Sequence, residues 1–238
     1  MKRLVKLQLR NIFHNKLFYI CLGIVLLISP IASFISQILL PQTQPTKVLP
    51  QIMSFLSSEI GIVGKIFIAL FCCFEFSNET TKNIIAKGYT RVQLLFSKYI
   101  GSLIGVFSIY IITSLVILIL FVKNGIGYDS SMIYPFINSI ISIIAFTIFF
   151  STMSFIIESS GIAIIACLFV PTAVTLVLTF VDANLKLNIG NYWIDNVSSK
   201  FIQSPTFTNL CLSILGYLIY VIIFAIVGIQ LSKRKEIK

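Results

Sequence analysis

The chain is predicted to be an all-α integral membrane protein on three observations. Hydrophobic residues make up 57% of its 238 positions and charged residues only 11%, a composition too apolar for a soluble domain of this length. The apolar residues fall in long unbroken runs, and about twenty residues suffice to cross ~30 Å of hydrocarbon as a helix. Within the runs Ile, Leu, Val and Phe form continuous blocks, without the strict alternation of barrel strands.

An amino-terminal element over 1–16 comes first. At ~100° per residue, Val5, Leu9, Ile12 and Phe13 share one face and Arg3, Lys6, Arg10 and His14 the opposite one, the pattern of an amphipathic helix lying in the membrane interface. Such a helix serves either as a topology anchor or as an elbow that also abuts a cytoplasmic partner. Six spans follow, at about 17–40, 59–77, 99–122, 133–157, 161–181 and 208–231, in one transmembrane domain over 1–238. The first is expected to persist in the mature protein, because its apolar run exceeds a signal-peptide core and no small-residue cleavage site follows. Pro30 and Pro171 fall inside spans as candidate kinks, and Gly101-x-x-x-Gly105 can seat a close helix crossing. Of the two longer outer loops, 41–58 and 182–207, the second carries Tyr192, Trp193, Phe201 and Pro205, an aromatic set suited to a membrane interface.

Orientation follows from the basic residues. Thirteen of the eighteen Lys and Arg precede the first span, separate the second from the third, or follow the sixth. All thirteen lie on one side of an alternating six-span topology, so both termini and the 78–98 loop are expected in the cytoplasm of a cell membrane. The net charge of +10 is thereby a topology signal. Nucleic-acid binding is not expected, since no soluble domain presents a basic groove.

No catalytic constellation is visible. The chain has no GxxxxGK[ST] loop to cradle ATP phosphates. A lone histidine, His14, cannot build a zinc protease site, and Gly-x-Ser with a membrane histidine is missing. The five cysteines, Cys21, Cys72, Cys73, Cys167 and Cys211, all fall within spans, where cysteine packs as a small apolar residue. The expectation is a chain without metal, cofactor or enzymatic activity of its own.

The segment from Asn78 to Lys98 carries Glu79, Lys82, Lys87, Arg91 and Lys98 between two apolar runs. Asn78 suits an N-cap, Glu79 sits in a first turn where negative charge meets the helix dipole, and Gly88 suits a left-handed C′ position. A helix of roughly two turns over Glu79–Lys87 is predicted, presenting Ile84 and Ile85 among Lys82, Asn83 and Lys87. Thr90 then caps a second helix running through Arg91, Leu94, Leu95 and Lys98 into the third span. A solvated turn between spans is the plain alternative, but a connector needs only a few residues and this one spends about twenty.

The run Glu79-Thr80-x-Lys82, then Gly88-x-x-Arg91, then Lys98 resembles the signature of type-2 ATP-binding-cassette permeases, whose usual form is close to E-x-G-T-x-K, G-x-S-R and a later Lys. Here Thr80 directly follows Glu79 and Thr90 stands in place of Ser. Six spans, cytoplasmic termini, the amphipathic helix and a charged loop after the second span are also similar to that family. The resemblance implies that 78–98 is a cytoplasmic coupling loop docking on a separate ATP-binding subunit. Glu79, Gly88 and Arg91 belong to the motif; Ile84 and Ile85 would be the apolar knob, with Lys82, Lys87 and Arg91 orienting the contact. Two copies of that subunit would bind ATP and Mg, and a second permease, identical or homologous, would complete the usual twelve spans. Chains rich in Ile, Lys, Asn and Phe are similar to permeases of low-GC Gram-positive bacteria that export bacitracin, lantibiotics or other amphipathic peptides. Export of an antimicrobial peptide or self-immunity is the function so implied. The 21 Phe and 9 Tyr suit an aromatic lateral opening, and equally lipid-facing packing. The family often places short re-entrant helices where 182–207 lies.

Ionisable residues within spans are costly and often functional. Glu59 and Lys65 lie toward the outer end of the second span, as candidates to line a pathway, Glu75 near its inner end, and Glu158 in the tight turn after the fourth. The alternatives are an ATP-independent secondary transporter and a non-transporting membrane scaffold. The transporter calls for ionisable groups near the midplane and an internal repeat, and neither is visible in the sequence.

Overall fold

A computed structural model describes residues 2–39, 61–74, 80–123, 133–185, 188–203 and 206–234. Among them the chain is helical and strand-free. The elements are α1 (Lys2–His14), α2 (Lys16–Leu39), α3 (Gly61–Phe74), α4 (Thr80–Ala86), α5 (Arg91–Lys123), α6 (Ile133–Ile157), α7 (Ser160–Leu185), a 3-10 turn (Ile189–Tyr192), α8 (Ser199–Gln203) and α9 (Phe207–Arg234). α5, α6, α7 and α9 are each long and apolar enough to cross a membrane, and the pair α1–α2, bent by 58°, makes a fifth candidate. The described part of α3 falls short of a span, and Glu59 and Glu75 beside it lie outside the described residues. By length and composition the described chain thus offers four or five spans against the six expected from the sequence.

The amphipathic helix forms, but its buried line is rotated from the expected stripe. Leu4, Gln8 and Ile12, one turn apart, are buried, whereas Val5 and Leu9 are half-buried and Phe13 is exposed. The reason lies on α5, where Gly101 and Gly105 leave a groove. A Cβ built on Gly101 would meet the ring of Phe71 at 2.8 Å and Gln8 at 3.4 Å; one on Gly105 would meet Phe67 at 2.5 Å and Ile12 at 3.7 Å. The glycine pair therefore seats α3 and α1 together, the close approach that small residues allow between membrane helices. Arg3, Lys6, Arg10 and His14 remain exposed. At the bend, Asn15 caps α2 by accepting the Leu17 N–H at 3.0 Å, and the Tyr19 hydroxyl donates to the Phe13 carbonyl at 2.9 Å.

Hydroxyl pairs bridge the central helices. Ser102 and Ser151 meet at 2.8 Å and Tyr99 and Thr152 at 2.6 Å between α5 and α6, while Ser213 of α9 donates to Asn138 of α6 at 2.7 Å. Each such bond contributes on the order of 0.6 kcal/mol between membrane helices. These pairs, with Gly228 of α9 seated against Tyr99 and Thr152, bring the start of α5 and the ends of α6 and α9 to one end of the bundle. The turn from α6 to α7 is as tight as expected, using only Glu158 and Ser159. Glu158 takes φ 63°, a left-handed conformation that costs a non-glycine residue about 1–2 kcal/mol. Pro30 and Pro171 lie inside continuous helices.

Between α7 and α9 the chain folds back along the bundle. Thr175, ten residues before the end of α7 and so about 15 Å along its axis, donates to Asp195 at 3.3 Å. Trp193 packs edge-on against Phe149 of α6 at 6.4 Å and Tyr220 of α9 at 6.1 Å, and Ile194 and Phe201 are buried. Of the aromatic set expected at an outer interface, Trp193 and Phe201 are packed into the helices, Tyr192 is exposed, and Pro205 lies outside the described residues.

Candidate functional site

α4 and the start of α5 form one capped unit. The described helix runs Thr80–Ala86 and ends one residue before the predicted Lys87, while its predicted start at Glu79 lies outside the described residues. It ends as the residues dictate: Gly88 adopts φ +85° and its N–H closes onto the Ile85 carbonyl at 2.9 Å. Two residues later Thr90 begins α5 through a reciprocal box. Its Oγ1 accepts the Gln93 N–H at 3.2 Å, and Gln93 Oε1 accepts the Thr90 N–H at 3.1 Å. Both turns of chain direction are thus set by local chemistry, and α4 is held at a fixed angle to α5.

The two isoleucines do not stand free together. Both are half-buried, and Ile84 packs against the cluster of Leu4, Leu94, Leu95, Tyr99, Ile148 and Phe155. α4 is too short to expose a whole apolar face while staying attached to the bundle. The outward residues are Asn83, Ala86, Lys87 and Gly88, with Ile85 at their margin and Arg91 half-buried beside them. Glu79 and Asn78 lie outside the described residues, as does the side chain of Lys82. The structure therefore brings Ile84, Ile85, Lys87, Gly88 and Arg91 into one turn. Arg3, Lys6, Arg10 and Lys16 of α1–α2 and Lys233 and Arg234 of α9 stand exposed, and Leu4 at the start of α1 shares the cluster that receives Ile84.

Comparison with family models and with curated proteins finds no match for this chain. Its chemistry rests on its own residues.

Lys65 lies apart from that turn. It is half-buried, with Nζ 5.1 Å from the centre of the Phe150 ring, and borders a space of about 20 Å³ with Ser142 and Thr147. That is room for about one water molecule. Glu59, its expected companion, is outside the described residues.

Two placements escape the sequence reading. Lys98, grouped there with a solvated loop, is only 1% exposed; Nζ donates to the Phe71 carbonyl at 3.0 Å and lies 4.6 Å from the Phe71 ring centre. The signal was present in the period, because Leu94, Leu95, Ser102, Gly105 and Ile109 share its buried face of α5. Asp195, half-buried, is the second such placement. It accepts from Trp193 Nε1 at 3.2 Å and from Thr175 about 15 Å inside the end of α7. No periodicity marks it, since its position depends on a loop folding inward. Asp182 anchors the same segment, accepting the Ile189 N–H at 2.9 Å and the Gly190 N–H at 2.7 Å. Gly190 is required there, because a Cβ would meet Asp182 Oδ2 at 2.8 Å.

Proposed function

We propose that the chain is the membrane-spanning permease subunit of an ABC transporter, with six spans, both termini in the cytoplasm and α4 as the coupling helix for a separate ATP-binding subunit. The observation that carries this reading is the α4–α5 unit, closed by a left-handed Gly88 and a Thr90–Gln93 box at the end of the bundle where the basic residues gather. A helix joined to α5 through these two closely spaced caps transmits displacement to α5, and α5 packs on α1, α2, α6 and α9, so a push on α4 reaches most of the bundle. ATP and Mg belong to the partner subunit, two copies of which would face a pair of permeases, identical or homologous. The substrate class we propose is an amphipathic or antimicrobial peptide, exported or neutralised in self-immunity; the lineage suggested by composition and the abundance of aromatic residues support it.

The contact surface differs from a simple isoleucine knob. With Ile84 turned into the protein's own cluster, Ile85 and Lys87 are the residues to perturb. The test is purification of the full chain from its native membrane, followed by assay of accompanying ATP-binding subunit and ATP hydrolysis. Ile85→Asp and Lys87→Glu are each expected to lose the subunit and its hydrolysis while the permease still folds. No accompanying ATP-binding subunit, or variants that keep both assembly and hydrolysis, would overturn the proposal.

Transport without ATP is the second reading, and Asp195 favours it as a half-buried carboxylate beside α7. Against it, the carboxylate is engaged by Trp193 and Thr175, which makes it a structural pin.

A further inference from the structure

We infer that the carboxylate of Asp195 receives an ammonium group, and that the source of this group is the cationic part of an amphipathic peptide. The charge of Asp195 is what its contacts leave unexplained. Trp193 Nε1 at 3.2 Å and Thr175 Oγ1 at 3.3 Å both donate to one oxygen, Oδ2. Both donors are neutral, and the carbonyl of an asparagine would accept from them as well. The other oxygen, Oδ1, accepts from none of the described residues. A negative charge held among membrane helices is costly and calls for a counter-ion, whereas a hydrogen-bond pin needs no charge. Lys65 is engaged over the Phe150 ring, and the side chain of Lys200 lies outside the described residues.

The surroundings select an organic ammonium over a metal ion. Calcium and magnesium take about six or more oxygen ligands, and here a single carboxylate stands among aromatic side chains. Tyr217 and Tyr220 of α9 lie within electrostatic reach of it, and Trp193 meets Tyr220 edge-on at 6.1 Å. Aromatic rings favour an ammonium. Asp195, Trp193 and Tyr220 are all half-buried, so the place is open to a ligand from the surface of the bundle. Beside Thr175 on α7 stand Leu176 and Val177, 66% and 61% exposed, and beside Tyr220 on α9 stands Ile219, 57% exposed. These apolar neighbours suit the other half of an amphipathic ligand. The peptide as source rests on the substrate class proposed above; the ammonium site involves no ATP-binding subunit, so the loss of that partner would leave the site standing.

The experiment uses the full chain in neutral detergent and follows the emission of Trp193, the chain's single tryptophan, during titration. The probes are a tryptophan-free lysine–leucine amphipathic peptide, the same peptide acetylated at every amine, and short-chain phosphatidylethanolamine. A hydrogen bond to a charged group corresponds to roughly 10- to 150-fold in affinity. The amine peptide should therefore shift the emission saturably at a concentration at least about tenfold below that of its acetylated form. Asp195→Asn keeps an acceptor for Trp193 and Thr175 and should remove that preference. Thr175→Val weakens the pin but keeps the charge, and should retain it. Glu158→Gln, which removes a carboxylate from the turn between α6 and α7, should leave it unchanged. Equal binding of the two peptides overturns the site, as does a preference that survives Asp195→Asn or is lost equally in Thr175→Val or Glu158→Gln. So does a response that appears only in Lys200→Gln, because the chain then supplies its own counter-ion. Phosphatidylethanolamine matching the amine peptide at equal concentration overturns the peptide as source.

Discussion

Replacing Gly105 with Ala tests the groove on which α1, α3 and α5 converge. The added methyl would stand 2.5 Å from Phe67 Cε1 and 2.7 Å from Cζ, whereas carbon atoms in contact settle at ~3.5–4.0 Å. The ring must retreat by about 1 Å or more. It has nowhere to go: Phe67 is 1% exposed, stacks on Phe71 at 5.8 Å and meets Phe18 at 6.0 Å. Overpacking of this kind costs ~1–3 kcal/mol, partly offset by the ~0.5–1 kcal/mol that Ala gains over Gly within a helix. The net loss is then about 0–2.5 kcal/mol with a midpoint of ~1, or an apparent Tm lowered by roughly 2–4 °C at that midpoint at ~2–4 °C per kcal/mol. Gly64→Ala and Gly23→Ala are the controls, because a Cβ finds only Val106 at 3.8 Å in the first and nothing within 4 Å in the second. Both should melt at or slightly above the parent temperature. Thermal opening in detergent can be followed with a thiol-reactive fluorogenic dye, since Cys72, Cys73 and Cys167 are fully buried and react only when the bundle opens. A Gly105→Ala protein that melts with the Gly23→Ala control would refute the close packing of α3 on α5.

The inward-folded segment offers two further tests. Asp182→Ala strips the acceptor from the Ile189 and Gly190 amides, so hydrogen exchange across 188–203 should accelerate by about 5- to 150-fold, corresponding to ~1–3 kcal/mol, with little change in α5 or α6; unaltered exchange in that segment would count against the anchor. Trp193 is the chain's single tryptophan and reports on Asp195. Asp195→Asn, which keeps a carbonyl oxygen for Trp193 and Thr175, should leave the fluorescence maximum in place, whereas Asp195→Ala should shift it to the red; equal shifts in both would show that charge, and not hydrogen bonding, holds the segment.

Local signals proved legible where a single helix or turn decides the outcome. Apolar runs mark five of the long helices, Gly88 and Thr90 mark the boundaries of the α4–α5 turn, and the Gly101/Gly105 pair marks a close crossing. Each is a property of nearby residues in sequence, and local backbone chemistry suffices to specify it. What escaped depends on contacts between distant segments. Gln8 is buried and Phe13 exposed because α5 presents a groove at one angle, which the moment of α1 alone does not contain. Lys98 falls on the helix that Thr90 is expected to cap, but its burial depends on α3 lying against that face of α5. Ile84 was expected outside on the ground of local polarity, and the cluster that receives it is built from α1, α5 and α6.

The distribution of polar groups explains why geometry matters more here than apolar area. α6 is largely buried, and its inner positions include Asn138, Ser139, Ser142, Thr147, Ser151, Thr152 and Ser154. α7 and α9 are mostly exposed and carry Phe169, Leu176, Phe180, Leu215, Ile222 and Ile226 on their surfaces. In water each such residue would forgo about 1.5–3 kcal/mol of burial, so this pattern fits only an apolar surround. In that surround hydrophobic burial no longer drives helices together, and shape and hydrogen bonds must do so. The glycine groove on α5, the hydroxyl pairs of α5–α6 and α6–α9, and the Asp182 and Asp195 anchors are the features of that kind in the described bundle. A single methyl in the groove is therefore more disruptive than the loss of an isoleucine from the outer face of α9, which only exchanges one apolar neighbour for another.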